Sequence, residues 1–475
     1  MSGAADEGRI EALRAKLDRE RAKVRKLVES QGRLAAERSA WLAERSALER
    51  RLAVLESHQR LLQGAPTRQG PAAPPLRVLA ADRVRKTIFE FVRGAVISSD
   101  PSSGDFDVLV ISRPEKQDLE RLAQSIPETI WSAVRGGRTR LVLDGSSEGH
   151  LHRVVLQRFR ALAARTGVPL DQVVYLTQDR LASRRQAAAG VHGDAAPPVL
   201  NYDYYLHKAL RPLLKHGQAA FETRLERYLQ APRRGRRAFL SLNLAPRAHR
   251  VLLLARLLRD GLWDKAFISF GGFGPAAPRE AGGGELRGLI DWRGMEAAAE
   301  EAEPWLSDLH RKGVALFGIP GGVGAYEAAR DMLQAGDLPE YRGSWFSVVT
   351  ETEMRGDTLR VTEKVLKPVL NFHPFVVMGN PGALQLVRSY GLQTFPELFD
   401  ESYDAEEESL RRFELVYDQV RRLARLDEAE LDQLEASVAE KIVFNARLGL
   451  TGLPRLFQET LLPAAIALLM PSGGP

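Results

Sequence analysis

The sequence predicts an α/β protein: two Rossmann-like, doubly wound domains preceded by an N-terminal coiled-coil helix. Three observations predict it. Apolar residues recur every three or four positions from Ile10 to Leu62, short apolar runs alternate with helical patterns over most of the remainder, and that alternation restarts after a basic stretch at Arg233–Arg237. Strands separated by helices of this length favour parallel sheets with both faces covered.

The first element is the seam Ile10, Leu13, Leu17, Val24, Leu27, Leu34, Trp41, Leu48, Leu52, Leu55, Leu62, flanked by alternating Glu and Arg and free of proline. It is the heptad pattern of a coiled coil over residues 1–63. Glu20, Gln31, Arg38, Arg45 and Gln59 interrupt it, and polar seam residues fix register or partner number at a cost in stability. The seam is expected to self-associate or to dock a partner; the other reading is a long helix folded onto its own chain. "QGAPTRQGPAAPP" then ends the helix as a linker, residues 64–75.

The first α/β domain is expected over residues 76–237. "FDVLVIS", "RTRLVLDG" and "DQVVYLTQD" read as strands, with helices through "EKQDLERLAQSI" and "HRVVLQRFRALAARTG" between them. The second, residues 238–405, runs through "AFLSLNL", a helix from Arg247 to Arg259, "AFISFGG", "VALFGI", "WFSVVTE", the helix opened by "VTEKVLKPVLN", and "PFVVMG". Residues 406–475 are rich in Arg/Glu pairs and are expected to form a solvated helical cap.

Composition narrows the function. Of the 475 residues, 44% are hydrophobic and 27% charged, an ordinary globular balance. Cysteine is absent, which excludes disulfides and thiolate metal sites. The N-terminal stretch is charged where a secretory signal needs an apolar core, and no apolar run approaches the roughly 20 residues of a membrane span, so a cytoplasmic location is expected. "LLPAAIALLM" is about half a span and carries Pro463, which suits a terminal helix packed on the body. A net charge of +6 would suit anionic partners. The densest basic cluster, "PRRGRR", lacks the interleaved aromatics of a stacking platform, so no nucleic-acid partner is expected.

Ligands of open parallel sheets bind beyond the carboxyl ends of the strands. Four stretches bring polar residues there. Asn243 closes "FLSLN", and Arg247 and Arg250 open the helix that follows, where free backbone N–H groups favour an anion. Glu351, in "TETE", suits hydrogen bonds from ribose or sugar hydroxyls. Thr362 can cap the helix of "VTEK", with Glu363 and Lys364 in its first turn and Lys367 three residues beyond on the same face. Gly379, in "MGNPG", permits close approach of a ligand to the backbone. Each has a bland alternative: an exposed surface Arg, a plain helix start, or lysines facing water. Together they describe a nucleotide-sugar pocket, an acid for hydroxyls and cations for a diphosphate. "GIPGGVGAY" lacks the Lys-Ser/Thr ending of a P-loop and reads as a flexible turn.

The run from Ser344 to Asp404 resembles the donor-binding half of glycosyltransferases with two Rossmann domains, the GT-B type. Its order of strand-end acid, "TEK" helix, "KP", "HPF", Gly loop, "GLQTF" and "DESYD" is similar to the fucosyltransferase and exostosin-like pattern, in the form of a bacterial and phage relative. The resemblance spans roughly Phe239 to Asp404. It implies metal-independent transfer from a nucleotide sugar, with no tightly bound cofactor, to a protein or polysaccharide acceptor. On this chain it implies that Arg247 and Lys364 hold the diphosphate, that Glu351 and Glu363 hold ribose or sugar hydroxyls, and that Glu401 and Tyr403 border the pocket. The pattern has an Asn where this chain has Thr352, and "YVTEK" reads "RVTEK" here, so the sugar is left open.

Transfer to a hydroxyl needs a general base. "LVLDGSSEGH" is the best source from the first domain: Glu148 ranks first, Asp144 second and His150 third, with a turn-forming role for Asp144 equally supported by the Gly that follows it. His373 either lines the pocket or is a satisfied core histidine. No His/Asp/Glu cluster has metal-site spacing. The rival readings are a non-catalytic scaffold carrying a degenerate transferase body, and a phosphoryl-transfer enzyme, which lacks its loops here.

Overall fold

The computed structural model describes residues 75–81, 87–147, 153–188, 197–231, 235–274, 277–278, 280–313 and 338–470. The chain divides into two compact units, Met1–Ala73 and Pro74–Pro475. The heptad seam and most of the linker lie outside the described residues, as do Glu148, His150, "VALFGI" and "GIPGGVGAY".

The second unit is built on two parallel sheets. The first contains β1 (Arg77–Ala80), β2 (Val96–Ser98), β3 (Val108–Ser112), β4 (Arg140–Gly145), β5 (Val173–Thr177) and β6 (Val199–Asn201), in the order β2-β1-β3-β4-β5-β6. Every pairing is parallel, with Val110 opposite Val142 and Val142 opposite Val174. Parallel strands are covered on both faces, which is why "VLVIS" and "VVYLT" are apolar without alternation. Leu109, Ile111, Leu141, Leu143 and Tyr175 face one core with Leu119, Trp131 and Phe159 of the covering helices. Val108, Val110, Val142, Val174 and Leu176 face the other. That second core includes Leu462, Ala465 and Leu469, so the "LLPAAIALLM" tract forms the helix Leu462–Leu469 and packs on the first sheet. No described helix is long and apolar enough to cross a membrane.

The second sheet contains β7 (Arg237–Leu242), β8 (Ala266–Ser269), β9 (Ser344–Thr350) and β10 (Phe375–Met378), in the order β10-β9-β7-β8. The chain leaves β7 for β8 on one side and returns to β9 on the other, so strand order reverses between β7 and β9, where Ser241 lies opposite Val348. That reversal opens a crevice at the carboxyl ends of the two strands. The helix Ala248–Arg259 follows β7 and buries Val251, Leu252, Leu253, Leu254 and Leu257, a row too apolar to face water.

Residues 406–470 are not a solvated cap. The helix Ser409–Leu423 buries Phe413, Val416, Tyr417 and Val420 in the core of the second sheet, and Arg256 lies over Phe413 and Tyr417 while its guanidinium pairs with Glu301 and Glu414. The Arg/Glu richness reflects such bridges between helices, which the sequence does not distinguish from solvated pairs.

Candidate functional site

The site grows from the ends of β7 and β9. Asn243 follows β7 and is fully buried; the Thr350 hydroxyl donates to its Oδ1 at 2.8 Å, and its Nδ2 donates to Ser241 Oγ at 3.0 Å. Asn243 therefore pins the two strand ends across the crevice. Arg247 is exposed at the N-cap of the helix Ala248–Arg259. Arg250, one turn in, is buried, and its Nη2 donates to the carbonyls of Thr350 at 3.0 Å and Glu351 at 2.9 Å. His249 Nε2 also donates to the Glu351 carbonyl, at 2.9 Å. Burial, with the neighbouring Arg250, pushes the His249 imidazole down to about 3, so it is neutral and acts as a donor there.

Glu351 is 1% exposed, and its carboxylate organises the next helix. Oε1 accepts from the Thr362 N–H at 2.9 Å and Oε2 from the Thr362 hydroxyl at 2.7 Å. Thr362 in turn is the N-cap of the helix Glu363–Leu370. Lys364 Nζ donates to Thr362 Oγ1 at 2.9 Å and Thr352 Oγ1 at 3.2 Å, and lies 4.0 Å from Glu351 and 3.7 Å from Glu363. Thr350, Lys364 and Lys367 share a hollow of about 280 Å³, counted to its open mouth, whose remaining wall includes Leu240, Leu242 and Val349.

Four cations, Arg247, Arg250, Lys364 and Lys367, stand here against the carboxylates of Glu351 and Glu363. Burial pushes the Lys367 ammonium down to about 8, with Lys364 and Arg250 adding to it and Glu363 opposing. For Glu363, burial works to raise the carboxyl, but the ammonium groups of Lys364 and Lys367 outweigh it and hold it below its usual range. A ligand that neutralises an excess of positive charge fits this crevice, and a diphosphate is of that kind.

The other sequence-predicted residues divide. Gly379 sits beside Glu351: an added Cβ would lie 3.2 Å from Val377 Cγ1 and 3.3 Å from Glu351 Cβ, so a side chain would press on the acid. Glu401 pairs with Arg388 and accepts from Thr394 at 3.0 Å, and the buried Tyr403 hydroxyl accepts from the Val377 N–H at 3.2 Å; neither has a hydrogen bond to the "VTEK" groups. His373 is a satisfied core histidine, bonded to Ser347 Oγ at 2.7 Å and the Ser344 carbonyl at 2.9 Å. Asp144 is fully buried. One of its oxygens accepts from Ser146 N–H at 3.0 Å and Ser146 Oγ at 2.6 Å, and the other from the Ile88 N–H at 3.1 Å. Burial raises its carboxyl against those bonds. It holds the turn that "DG" announces. Among the described residues no group of His, Cys, Asp and Glu could hold a metal ion.

Sequence reasoning missed the groups that join the two halves. Beyond β5, the Leu359 N–H donates to Asp179 Oδ1 at 3.0 Å, and the Arg180 N–H donates to the Leu359 carbonyl at 2.9 Å. Asp203, beyond β6, accepts from Arg180 and from the Tyr390 hydroxyl, which itself accepts from Arg180 at 2.8 Å. These contacts reach the second half three residues before Thr362. The strand-end rule applied to "TQDR" could have found Asp179 and Arg180; Tyr390 carries no local signal.

No family model matches the chain, and no curated protein matches it. Among solved structures it is similar to an α,α-trehalose 6-phosphate synthase from Burkholderia multivorans, with a TM-score of 0.33, 12% identity, and coverage of 78% of this chain and 73% of that one. It is also similar to an α1,3-fucosyltransferase, with a TM-score of 0.32, 9% identity, and coverage of 78% of this chain and 91% of that one. Likeness at this level is too loose to carry chemistry from either protein to this chain.

Proposed function

We propose that the chain is a metal-independent glycosyltransferase of the GT-B type, moving a sugar from a nucleotide-sugar donor to a hydroxyl of a protein or polysaccharide acceptor. The observation that carries this reading is the meeting of Lys364, Lys367 and Arg250 with Glu351 and Thr362 at the switch-point crevice of the second sheet. Lys364, with Arg247 at the adjacent helix start, binds the diphosphate and stabilises it as the glycosidic bond breaks. Glu363 accepts from ribose or sugar hydroxyls; Glu351, whose oxygens already serve Thr362, and Arg250, committed to backbone carbonyls, are positioning residues.

The general base is assigned to the segment after β4, with Glu148 ahead of His150 and Asp144 as the holder of its turn. It takes the proton of the acceptor hydroxyl as that oxygen bonds to the anomeric carbon, and the nucleoside diphosphate leaves with the bonding pair. The heptad seam of residues 10–62 would bring a large acceptor, or a second copy of the chain, to the enzyme.

The test is a thermal-shift screen of the folded protein against uridine, guanosine, cytidine and adenosine diphosphates and their sugar conjugates, repeated on Glu363→Ala and Lys364→Ala. Stabilisation by one nucleotide class, lost in both variants, is expected. No stabilisation by any of them would sink the reading and favour the scaffold alternative.

A further inference from the structure

The carboxyl edge of the first sheet leaves two side chains unfinished. Ser147, just beyond β4, and Gln178, just beyond β5, are fully buried, yet the Ser147 hydroxyl and both polar atoms of the Gln178 amide have no hydrogen-bond partner among the described residues. Gly145 of β4 is opposite Thr177 of β5, so the two residues stand at neighbouring strand ends, on the edge where open parallel sheets take their ligands.

Their surroundings are otherwise bonded. On the β4 side, Asp144 accepts from the Ser146 N–H at 3.0 Å, from Ser146 Oγ at 2.6 Å and from the Ile88 N–H at 3.1 Å. On the β5 side, the Asp179 N–H donates to Thr177 Oγ1 at 3.2 Å, and Asn201 Nδ2 donates to the Asp179 carbonyl at 2.9 Å. The chain is thus pinned around both residues while their own polar atoms stay unmatched. A buried polar group without a partner is costly, and a fold keeps one where a ligand, an ion or a water completes it.

The unmatched groups are neutral. A carboxamide offers two N–H donors and an acceptor oxygen, and a hydroxyl both donates and accepts. The charge of the arginines at this edge is already engaged: Arg113 has partners, and Arg180 donates to Asp203 and to the Tyr390 hydroxyl. A ligand rich in hydroxyls, each able to donate and to accept, matches such a set better than an anion does. The edge also meets the second half near the donor helix, because the Leu359 N–H donates to Asp179 Oδ1 at 3.0 Å, three residues before Thr362.

We propose that Ser147 and Gln178 form a binding site for a neutral carbohydrate, whose hydroxyls complete the Gln178 amide and the Ser147 hydroxyl. The site stands on its own unmatched groups; its occupant is the acceptor only on the transferase reading, and that acceptor is then narrowed from protein or polysaccharide to carbohydrate. Both side chains are fully buried, so the sugar binds an opened arrangement of this edge, and its apparent affinity is lowered by the fraction of molecules so arranged.

Titration of the full chain with glucose, galactose, N-acetylglucosamine and lactose, followed by saturation-transfer NMR, tests the site on wild type, Gln178→Met, Ser147→Ala and Lys364→Ala, each shown to be folded by circular dichroism. Expected is binding of at least one sugar that survives Lys364→Ala, weakens at least about tenfold in Gln178→Met and weakens about threefold in Ser147→Ala. If Gln178→Met does not fold, Ser147→Ala carries the test. Unchanged affinity in the folded Gln178→Met and Ser147→Ala proteins would overturn the proposal, and so would binding lost in Lys364→Ala alone, which places the sugar in the donor crevice. No binding of any of the four sugars to folded wild type would overturn it outright and leave a buried water as the partner of these groups. The nucleotide screen decides the donor crevice separately, so either reading can fail without the other.

Discussion

The carboxyl edges of the two sheets are built in opposite ways. At the second, the strand-end polar groups satisfy one another: Asn243 with Thr350, Glu351 with Thr362, Arg250 with two carbonyls. The ammonium groups of Lys364 and Lys367 then face a hollow. At the first, Ser147 Oγ and both amide atoms of Gln178 are fully buried with no hydrogen-bond partner among the described residues. These lie side by side, because Gly145 of β4 is opposite Thr177 of β5. A buried polar group left unpaired costs about 1–3 kcal/mol, and the first edge gathers three such atoms at neighbouring strand ends, while at the second Asn380 Oδ1, beyond β10, is in the same state among the described residues. The comparison teaches that an edge can satisfy most of its strand-end groups as structure and still leave ammonium charge facing a hollow, whereas an edge that carries no such charge can leave hydrogen bonds unmade.

The sharpest way to break the comparison is to remove the acid that finishes the second edge. Glu351→Ala strips two acceptors from Thr362 and leaves Lys364 beside a vacated carboxylate, so a loss of about 3–5 kcal/mol in urea unfolding is expected, together with loss of nucleotide binding. A variant as stable as wild type would mean that this edge is not held together by Glu351. Lys364→Ala should separate the two roles. Its ammonium bonds Thr362 and Thr352 and stands beside Glu351 and Glu363, but the side chain is 22% exposed, so stability should fall by about 1–2 kcal/mol, less than for Glu351→Ala. Donor affinity should still fall about ten- to a hundredfold for the lost charge-assisted contacts. An unchanged Kd would remove Lys364 from the site.

The pH dependence of donor binding probes the same edge more gently. Lys367, pushed down to about 8 chiefly by burial, is charged below that pH and loses its proton above it. An anionic donor prefers the charged form, so affinity should be flat below about pH 8 and fall by up to tenfold per unit above it. Lys367→Met should flatten that limb. The same group costs stability where it is charged and buried, so the fold itself should gain stability as pH rises from about 8 towards 10.5, where the unfolded chain holds the proton and the folded chain has released it. Opposite slopes for binding and stability over that window are the signature.

Much of the second edge was legible because strand-end polar residues precede recognisable helices: Asn243 before "APRAHR", Glu351 before "VTEK". The period-2 and period-3.6 patterns expose those boundaries. What was not legible was commitment. Arg250 and Arg247 look alike in sequence, yet one is buried against carbonyls and the other exposed, a difference set by which helix face meets β9. Strands β1, β2 and β6, of four, three and three residues, are too short for periodicity to register. The association of the halves through Asp203, Arg180 and Tyr390 joins residues 187 apart and leaves no local trace.

The smallest expected effect on stability tests the first edge directly. Replacing Gln178 by Met keeps the volume and removes the two unpaired amide atoms. If that edge is left unfinished for a ligand, Gln178→Met should match or exceed wild-type stability, by up to about 1 kcal/mol, because no native bond is broken and a buried polar penalty is relieved. Sugar transfer should fall while binding of the donor nucleotide at Lys364 stays as it was, since the change lies on the other sheet. A loss of more than about 1 kcal/mol in urea unfolding would show instead that the Gln178 amide is satisfied in solution, by water or by the chain. The two edges would then differ in charge alone, and the acceptor's polar contacts would have to be sought away from β5.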